Sequence, residues 1–273
     1  MMKDITIGQY FPGKSPIHRM DPRIKILTSL LYIVLLFVAG NFWGLLLGIA
    51  FCFGLYLISG IPLGMIGKSM RPVVPIVIFT AILNMFFIDG NVLWSWKFIH
   101  ITEEGITTAL FMSIRILCLI AGTSLLTYTT SPIALTDGIE RLLSPLKVIH
   151  LPVHELAMMM TIALRFIPTL IEETDKIMSA QKARGADLES GGVIQRAKAL
   201  LPILIPLFVS AFRRADELAL AMECRCYHGG EGRTRMKQLK LHMRDLWASL
   251  ITVGVFGGVL VLNQLFNTVS TIS

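Results

Sequence analysis

The chain has 273 residues, of which 54% are hydrophobic and 16% charged, and its mean hydropathy is +0.67. Soluble domains carry about 25% charged residues, so the composition excludes an ordinary soluble enzyme, and its apolar content excludes a disordered chain. With 25 Lys and Arg against 18 Asp and Glu the formal charge is +7, which in a membrane protein points to cytoplasmic loops and anionic lipid before nucleic acid.

The first 23 residues are polar and punctuated by proline, and no cleavable signal peptide is expected there. Within them, Gly8–Ser15 (GQYFPGKS) matches a phosphate-loop pattern. Such a loop needs a strand before it and a helix opening at its Lys-Ser; here Pro16 follows Ser15, then a spanning helix, and a nucleotide site is set aside. Four apolar runs come next, Ile24–Ala39, Phe42–Ser59, Val73–Phe87 and Gly105–Tyr128. Each reads as a membrane-spanning helix, the first three near the short end of the roughly 20 residues a span requires. Lys3, Lys14, Arg19, Arg23 and Lys25 precede or open the first span, and Lys68 and Arg71 separate the second from the third. Between the third and fourth, Ile88–Glu104 carries Asp89, Glu103 and Glu104 against Lys97 alone. Arg115 sits near the middle of the fourth span, where a charge costs at least ~2.5 kcal/mol unless it faces protein or water. A packing role and a transport role both stay open for it.

Ser131–Asp245 holds 16 of the 25 basic residues. It opens with Ser131-Pro132, a helix cap followed by proline at the first helical position. Ile133, Leu135, Ile139, Leu142 and Leu143 then make an apolar face that Pro145 ends. A second helix is predicted over Val153–Arg184, stopped by Gly185. The linker Ala186–Gly192 leads to a third over Val193–Arg225, which runs out in Tyr227-His228-Gly229-Gly230. The two long helices would each reach roughly 50 Å, with Pro168, Pro202 and Pro206 expected to kink or interrupt them. A fifth span covers Leu246–Phe266, and no charged side chain follows it. The basic residues orient the whole: N-terminus and insert cytoplasmic, Ile88–Glu104 and C-terminus outside. The expected fold is all-α, a polytopic helical membrane protein with about five transmembrane helices and a cytoplasmic region of three amphipathic helices. Its divisions are 1–130 (N-terminal segment and four spans), 131–245 (cytoplasmic helices) and 246–273 (last span).

Little in this chain suggests catalysis. His154-Glu155 begins like the H-E-x-x-H zinc motif, but Met158 stands where the second histidine must be. Cys224, Cys226 and His228 lack a fourth ligand, and residues two apart on a helix point to different sides. Cys52 and Cys118 lie in apolar runs, and the four cysteines make no secreted disulfide framework. No metal or cofactor site is expected. A short repeat is more informative: Asp175, Ala180, Ala183 and Arg184 return, each shifted by the same interval, as Asp216, Ala221, Cys224 and Arg225. Met158, Met159, Met160 and Met178 on the second helix suit either core filling or an adaptable docking surface. A stand-alone channel or secondary transporter is the competing function class, although inverted repeats and several intramembrane ionisable residues would be expected of it; a membrane-bound enzyme is the third option.

The stretches Gly8–Lys25, Leu143–Lys147 (LSPLK), Leu164–Pro168 (LRFIP), Ala183-Arg184-Gly185 and Arg213–Tyr227 (RRADELALAMECRCY) together resemble the transmembrane T component of energy-coupling factor (ECF) transporters. The resemblance covers nearly the whole chain. It implies a non-catalytic scaffold in a prokaryotic cell membrane. Its cytoplasmic coupling helices would join two ATP-binding-cassette ATPases to a small membrane S component that captures a vitamin or metal ion. It further implies that Ala183-Arg184-Gly185 docks one ATPase and that Cys224-Arg225-Cys226, which departs from the Ala-Arg-Gly pattern at both neighbours, docks the other. Met158, Met159 and Met160 become candidate contacts for the S component. No nucleic acid partner is implied.

Overall fold

The computed structural model describes residues 10–88, 90–96, 99–149, 152–186, 192–229 and 239–265. In chain order these form α1 (Pro22–Val38), α2 (Phe42–Ser59), α3 (Leu63–Met70), α4 (Val74–Phe87), β1 (Val92–Trp96), β2 (Ile99–Thr102), α5 (Glu103–Thr129), α6 (Pro132–Leu143), a 3-10 turn (Ser144–Ile149), α7 (Val153–Ala183), α8 (Val193–Glu223) and α9 (Met243–Leu265). Internal contacts divide them into two units, 10–138 with 239–265 and 139–229, so that α6 runs from one into the other.

Helix starts follow local chemistry. The Asp21 carboxylate accepts from Arg23 N at 2.9 Å, with Pro22 in the first position of α1. Thr102 Oγ1 accepts from Gly105 N at 3.0 Å to cap α5, and Ser131 Oγ accepts from Ala134 N at 3.3 Å to cap α6. The fold is helical as expected, with one addition: the loop after α4 contains an antiparallel hairpin, Val92 opposite Thr102 and Trp96 opposite Ile99. Its β-branched and aromatic residues favour that pairing. The predicted span at Val73–Phe87 is the helix α4, and a short helix that was not predicted, α3, precedes it and meets it at 59° across a break that contains Pro72.

Among the described residues four helices are long and apolar enough to cross a membrane, or five if the bent α3–α4 pair counts as one span. Their identities differ from the predicted five. At 17 residues α1 reaches only about 25 Å, whereas α7, assigned from sequence to the cytoplasmic insert, is itself long and apolar enough. Large apolar side chains face outward from the first unit, Phe37 at 63%, Phe79 at 62% and Leu57 at 62% exposure. Its interior, by contrast, holds tyrosines that each find an acceptor. Tyr56 Oη donates to Ala121 O at 2.8 Å, and Tyr128 Oη donates to Met65 O at 3.1 Å and is paired with Ser69. Gly44 and Gly48 on α2 let neighbouring helices approach, because a Cβ there would stand 3.3 Å from Val259 and 3.0 Å from Leu36.

Two polar knots tie the ends of this bundle. At the turn between α1 and α2, Arg115 Nη2 donates to Ala39 O at 2.6 Å, with the guanidinium 4.6 Å from the Phe111 ring centre. Asn263 of α9 accepts from Gly40 N at 3.1 Å and donates to Val38 O at 2.6 Å, and Asn41 Nδ2 donates to Leu262 O at 3.3 Å. Arg115 therefore has a packing partner, the backbone carbonyl of Ala39 at the C-terminal end of α1. At the opposite ends of α1 and α9, Asp245 is 2% exposed; it accepts from Asp21 N at 2.9 Å and from His242 N at 2.8 Å. Asp21 in turn holds Arg23 through Nε at 3.0 Å and Nη2 at 2.8 Å. Burial works against ionisation of Asp21, but its bonds to Arg23 outweigh this and keep the carboxyl below its ordinary range.

Asp245→Asn conserves shape but leaves one carbonyl oxygen where two backbone N–H groups need an acceptor. Leaving one buried donor unpaired costs about 1–3 kcal/mol. The thermal unfolding midpoint of the detergent-solubilised protein is expected to fall; an unchanged midpoint would show that this junction contributes nothing.

Candidate functional site

In the second unit, α7 and α8 are held together by side chains. Glu173 accepts from Ser210 and, at 2.7 Å, from Arg214 Nη2, while Gln181 Nε2 donates to Pro202 O at 3.2 Å. Partner numbers fall along α8 as they rise along α7, so the helices run antiparallel where they touch. The Gln181 bond has a specific origin. Pro206 has no N–H, so the Pro202 carbonyl one turn earlier loses its helical donor, and the amide from α7 takes that place. Of the kink or interruption expected at the prolines, interruption does not occur: α7 continues through Pro168 and α8 through Pro202 and Pro206.

The crossing carries the symmetry of the repeat. Glu173 and Arg214 are equivalent positions, related by the same interval as the two arginines, and each lies about three turns before the arginine that ends its helix. Arg184 and Arg225 are thus each about 16 Å from the Glu173–Arg214 pair, in opposite directions along the crossed helices. Antiparallel helices that meet at equivalent positions set the residue at the meeting point against its own counterpart. Two glutamates or two arginines there would repel, and Glu against Arg makes the contact attractive.

The tips themselves match bond for bond. Gly185 N donates to Lys182 O at 3.0 Å and Ala186 N to Gln181 O at 3.0 Å; Cys226 N donates to Glu223 O at 2.9 Å and Tyr227 N to Met222 O at 3.1 Å. Both sets are the paired closing bonds of a Schellman motif with the arginine as the last, half-helical residue. The motif needs a left-handed residue next, which is Gly185 at φ 86 and Cys226 at φ 55. Only the second carries a Cβ in that conformation, a strain of order ~1 kcal/mol. Cys226 thus gives the second tip the backbone turn that Gly185 gives the first. Arg184 and Arg225 are both exposed, as are Ala183, Gly185, Cys224 and Cys226.

Other sequence candidates are dispersed. Met159 and Met160 are 54% and 38% exposed while Met158 is half-buried, and three consecutive helical residues share no single face. His154 Nδ1 lies 3.1 Å from Glu140 Oε1, joining the start of α7 to the end of α6. Among the described residues no cluster of His, Cys, Asp or Glu could hold a metal ion. Most of the linker after Ala186 lies outside the described residues. Sequence reasoning missed Glu173, Gln181, Ser210 and Arg214. A signal existed in Glu172-Glu173 and Arg213-Arg214, opposite charges at the spacing of the repeat.

Reversing one charge tests the crossing. Glu173→Arg and Arg214→Glu should each lower the unfolding midpoint of the purified protein, and the double exchange should recover most of the loss. A double exchange no better than the single variants would mean that the pair does not hold the helices.

A family model described as CbiQ, cobalt transport protein, matches residues 13–236. The energy-coupling factor transporter transmembrane protein EcfT of Ruminiclostridium cellulolyticum is 55% identical over 266 residues, spanning 97% of this chain and 100% of the relative. The EcfT of Clostridium kluyveri is 60% identical over 252 residues, 92% of this chain and 93% of the relative, and that of Bacillus subtilis 49% over 240 residues, 88% and 91%. With identity at this level across almost the full length, and with a helical membrane unit and a crossed helix pair, the chain belongs to the EcfT family of transmembrane components of ECF transporters within the wider CbiQ family.

Proposed function

We propose that the crossed pair of α7 and α8 is the coupling device of this transporter component, with Arg184 anchoring one ATPase subunit and Arg225 the other. The chain is a non-catalytic, multi-pass membrane subunit that couples the ATPases of an ECF transporter to its S component. The observation that carries the docking assignment is the pair of equivalent arginine-ended tips, facing apart about one central ion pair. Two similar partners call for two similar anchors. A guanidinium offers a planar fork to carboxylates or carbonyls, and a cation on the last turn complements the helix dipole. The neighbours Ala183, Gly185, Cys224 and Cys226 are small enough to let a partner surface close over each fork.

The proposed topology has α1, α2, the bent α3–α4 pair, α5 and α9 crossing the bilayer, with the N-terminus cytoplasmic and the C-terminus outside. In it α6, α7 and α8 belong to a cytoplasmic coupling region within 131–245. The basic residues of Ser131–Asp245 favour this orientation. For α7 the charge pattern weighs against spanning despite its length, since even its most apolar stretch of span length carries Glu155 and Arg165. An amphipathic helix at the membrane surface keeps those charges wet while its apolar residues meet lipid or a membrane partner. Met159 and Met160, open on that helix, are the proposed S-component contacts together with Met158. The S component brings the cargo, a vitamin or metal ion.

Alanine at either arginine removes an anchor of a kind that often contributes ~2 kcal/mol or more. With the other tip docked, effective concentration partly masks the loss. Arg184→Ala and Arg225→Ala should each retain some ATPase on co-purification while transporting poorly, and the double variant should lose both ATPases yet remain folded in the membrane. Arg184→Lys should rescue only in part. A double variant that keeps both ATPases and normal uptake would show that the tips are merely solvated helix ends.

A further inference from the structure

We propose that the membrane unit seats one anionic phospholipid, with an acyl chain in the cavity between α1, α2, α5 and α9 and its phosphate at Arg244. The cavity has a volume of about 460 Å³, within the range of small-ligand sites, and is walled by apolar side chains including Tyr32, Phe51, Leu55, Leu125, Trp247 and Ile251. Two residues of α2 keep one wall low. Ala50 and Gly54 both line the cavity, and a Cβ built at Gly54 would meet no atom within 4 Å. The neighbouring Gly122 is different, because the Tyr32 ring already fills the space beside it, 2.3 Å from where a Cβ would stand. Room is therefore left at Gly54 that the protein does not occupy. Hydrocarbon is what fills an open apolar groove in a bilayer, since water is excluded there.

The charge on the lining specifies the headgroup. Among the described residues the cavity is lined by two cations, Lys25 and Arg244, and by no carboxylate. Lys25 is 6% exposed and donates to three neutral oxygens, His18 O at 3.1 Å, Thr129 O at 2.9 Å and Thr130 Oγ1 at 3.3 Å. Two carboxylates lie near this end, and both are engaged: Asp21 holds Arg23, and Asp245 accepts two backbone N–H groups. Arg244 is exposed beside them, on the residue next to Asp245. A phosphate fits a guanidinium bidentately, and basic pockets between transmembrane helices select anionic headgroups. Arg244 and Lys25 sit at the first turns of α9 and α1, which the proposed orientation puts at the cytoplasmic leaflet. Only the choice of leaflet rests on that orientation.

Trp247 lines the cavity and reports its contents. The full chain, with Trp43, Trp94 and Trp96 replaced by Phe, is reconstituted in phosphatidylcholine vesicles containing a small fraction of acyl-brominated phosphatidylglycerol or acyl-brominated phosphatidylcholine. Quenching of Trp247 should favour the brominated phosphatidylglycerol about fivefold, the factor that one basic residue contributes near an anionic surface. Arg244→Gln should bring the two lipids level and Arg244→Lys should keep most of the preference. Gly54→Leu fills the groove with every charge retained, and should also abolish it; Ala50→Leu replaces it if that variant fails to insert as a helical monomer. Equal quenching in the parent assigns the cavity to bulk lipid or a protein partner and overturns the proposal. A preference unchanged in both groove-filling variants overturns it too, as attraction to the rim without a seated chain. No ATPase enters this measurement, so neither result bears on the docking of Arg184 and Arg225.

Discussion

Hydrocarbon offers no hydrogen bonds, so any backbone group that lies in the bilayer must be paired by the protein itself. Helices meet that demand along their lengths and fail at their ends. The turn between α1 and α2 is resolved from outside: Arg115 of α5 reaches the Ala39 carbonyl while Asn263 of α9 meets Val38 and Gly40. At the other end of the same helices Asp245 joins the caps of α1 and α9. Segments from opposite ends of the sequence are thereby locked together, and the intervening chain begins and ends on a fixed bundle.

The crossed helices obey a different constraint, because their charged faces need water. Their hold on each other is correspondingly polar: Glu173 with Ser210 and Arg214, and Gln181 with the carbonyl that Pro206 frees. Beyond the Glu173–Arg214 contact each helix carries an arm of about three turns to its arginine, and Gln181 ties the α7 arm back to α8. Proline inside α8 serves that geometry, since the carbonyl it releases becomes an attachment for α7.

Much of this was legible in the sequence because the signals are local and strong. Ser131-Pro132 and Asp21-Pro22 mark helix starts, Gly185 marks a stop, and Phe42–Ser59 is one uninterrupted apolar run. The apolar run at Val73–Phe87 gave α4 but concealed its union with α3, because Leu63–Met70 is too short and too mixed to announce itself. The β-hairpin was hidden in a stretch read only for its charge. Contacts between helices were beyond reach: no periodicity says that Arg115 meets Ala39, or that Glu173 meets Arg214. Whether proline interrupts a helix depends in part on whether a neighbour supplies the missing donor, and Gln181 lies on a different helix from the carbonyl it caps. The second tip departs from the Ala-Arg-Gly pattern that the resemblance implies, yet Cys226 adopts the same left-handed conformation as Gly185. The bonds of Arg225 N and Tyr227 N to the Met222 carbonyl explain why, since they fix the backbone on both sides of it.

The proposed docking at Arg184 and Arg225 requires the two arms to move when the ATPases close. Ala180 and Ala221 are exposed, equivalent positions one turn before the two arginines, and spin labels there report the separation of the arms. The distance is to be measured by pulsed electron resonance in the assembled transporter, with the four native cysteines replaced, first without nucleotide and then with ATP trapped. A coupling lever gives two different distance distributions, and the change should vanish when Arg184 and Arg225 are both alanine. Identical distributions in a complex that still hydrolyses ATP and transports would contradict it.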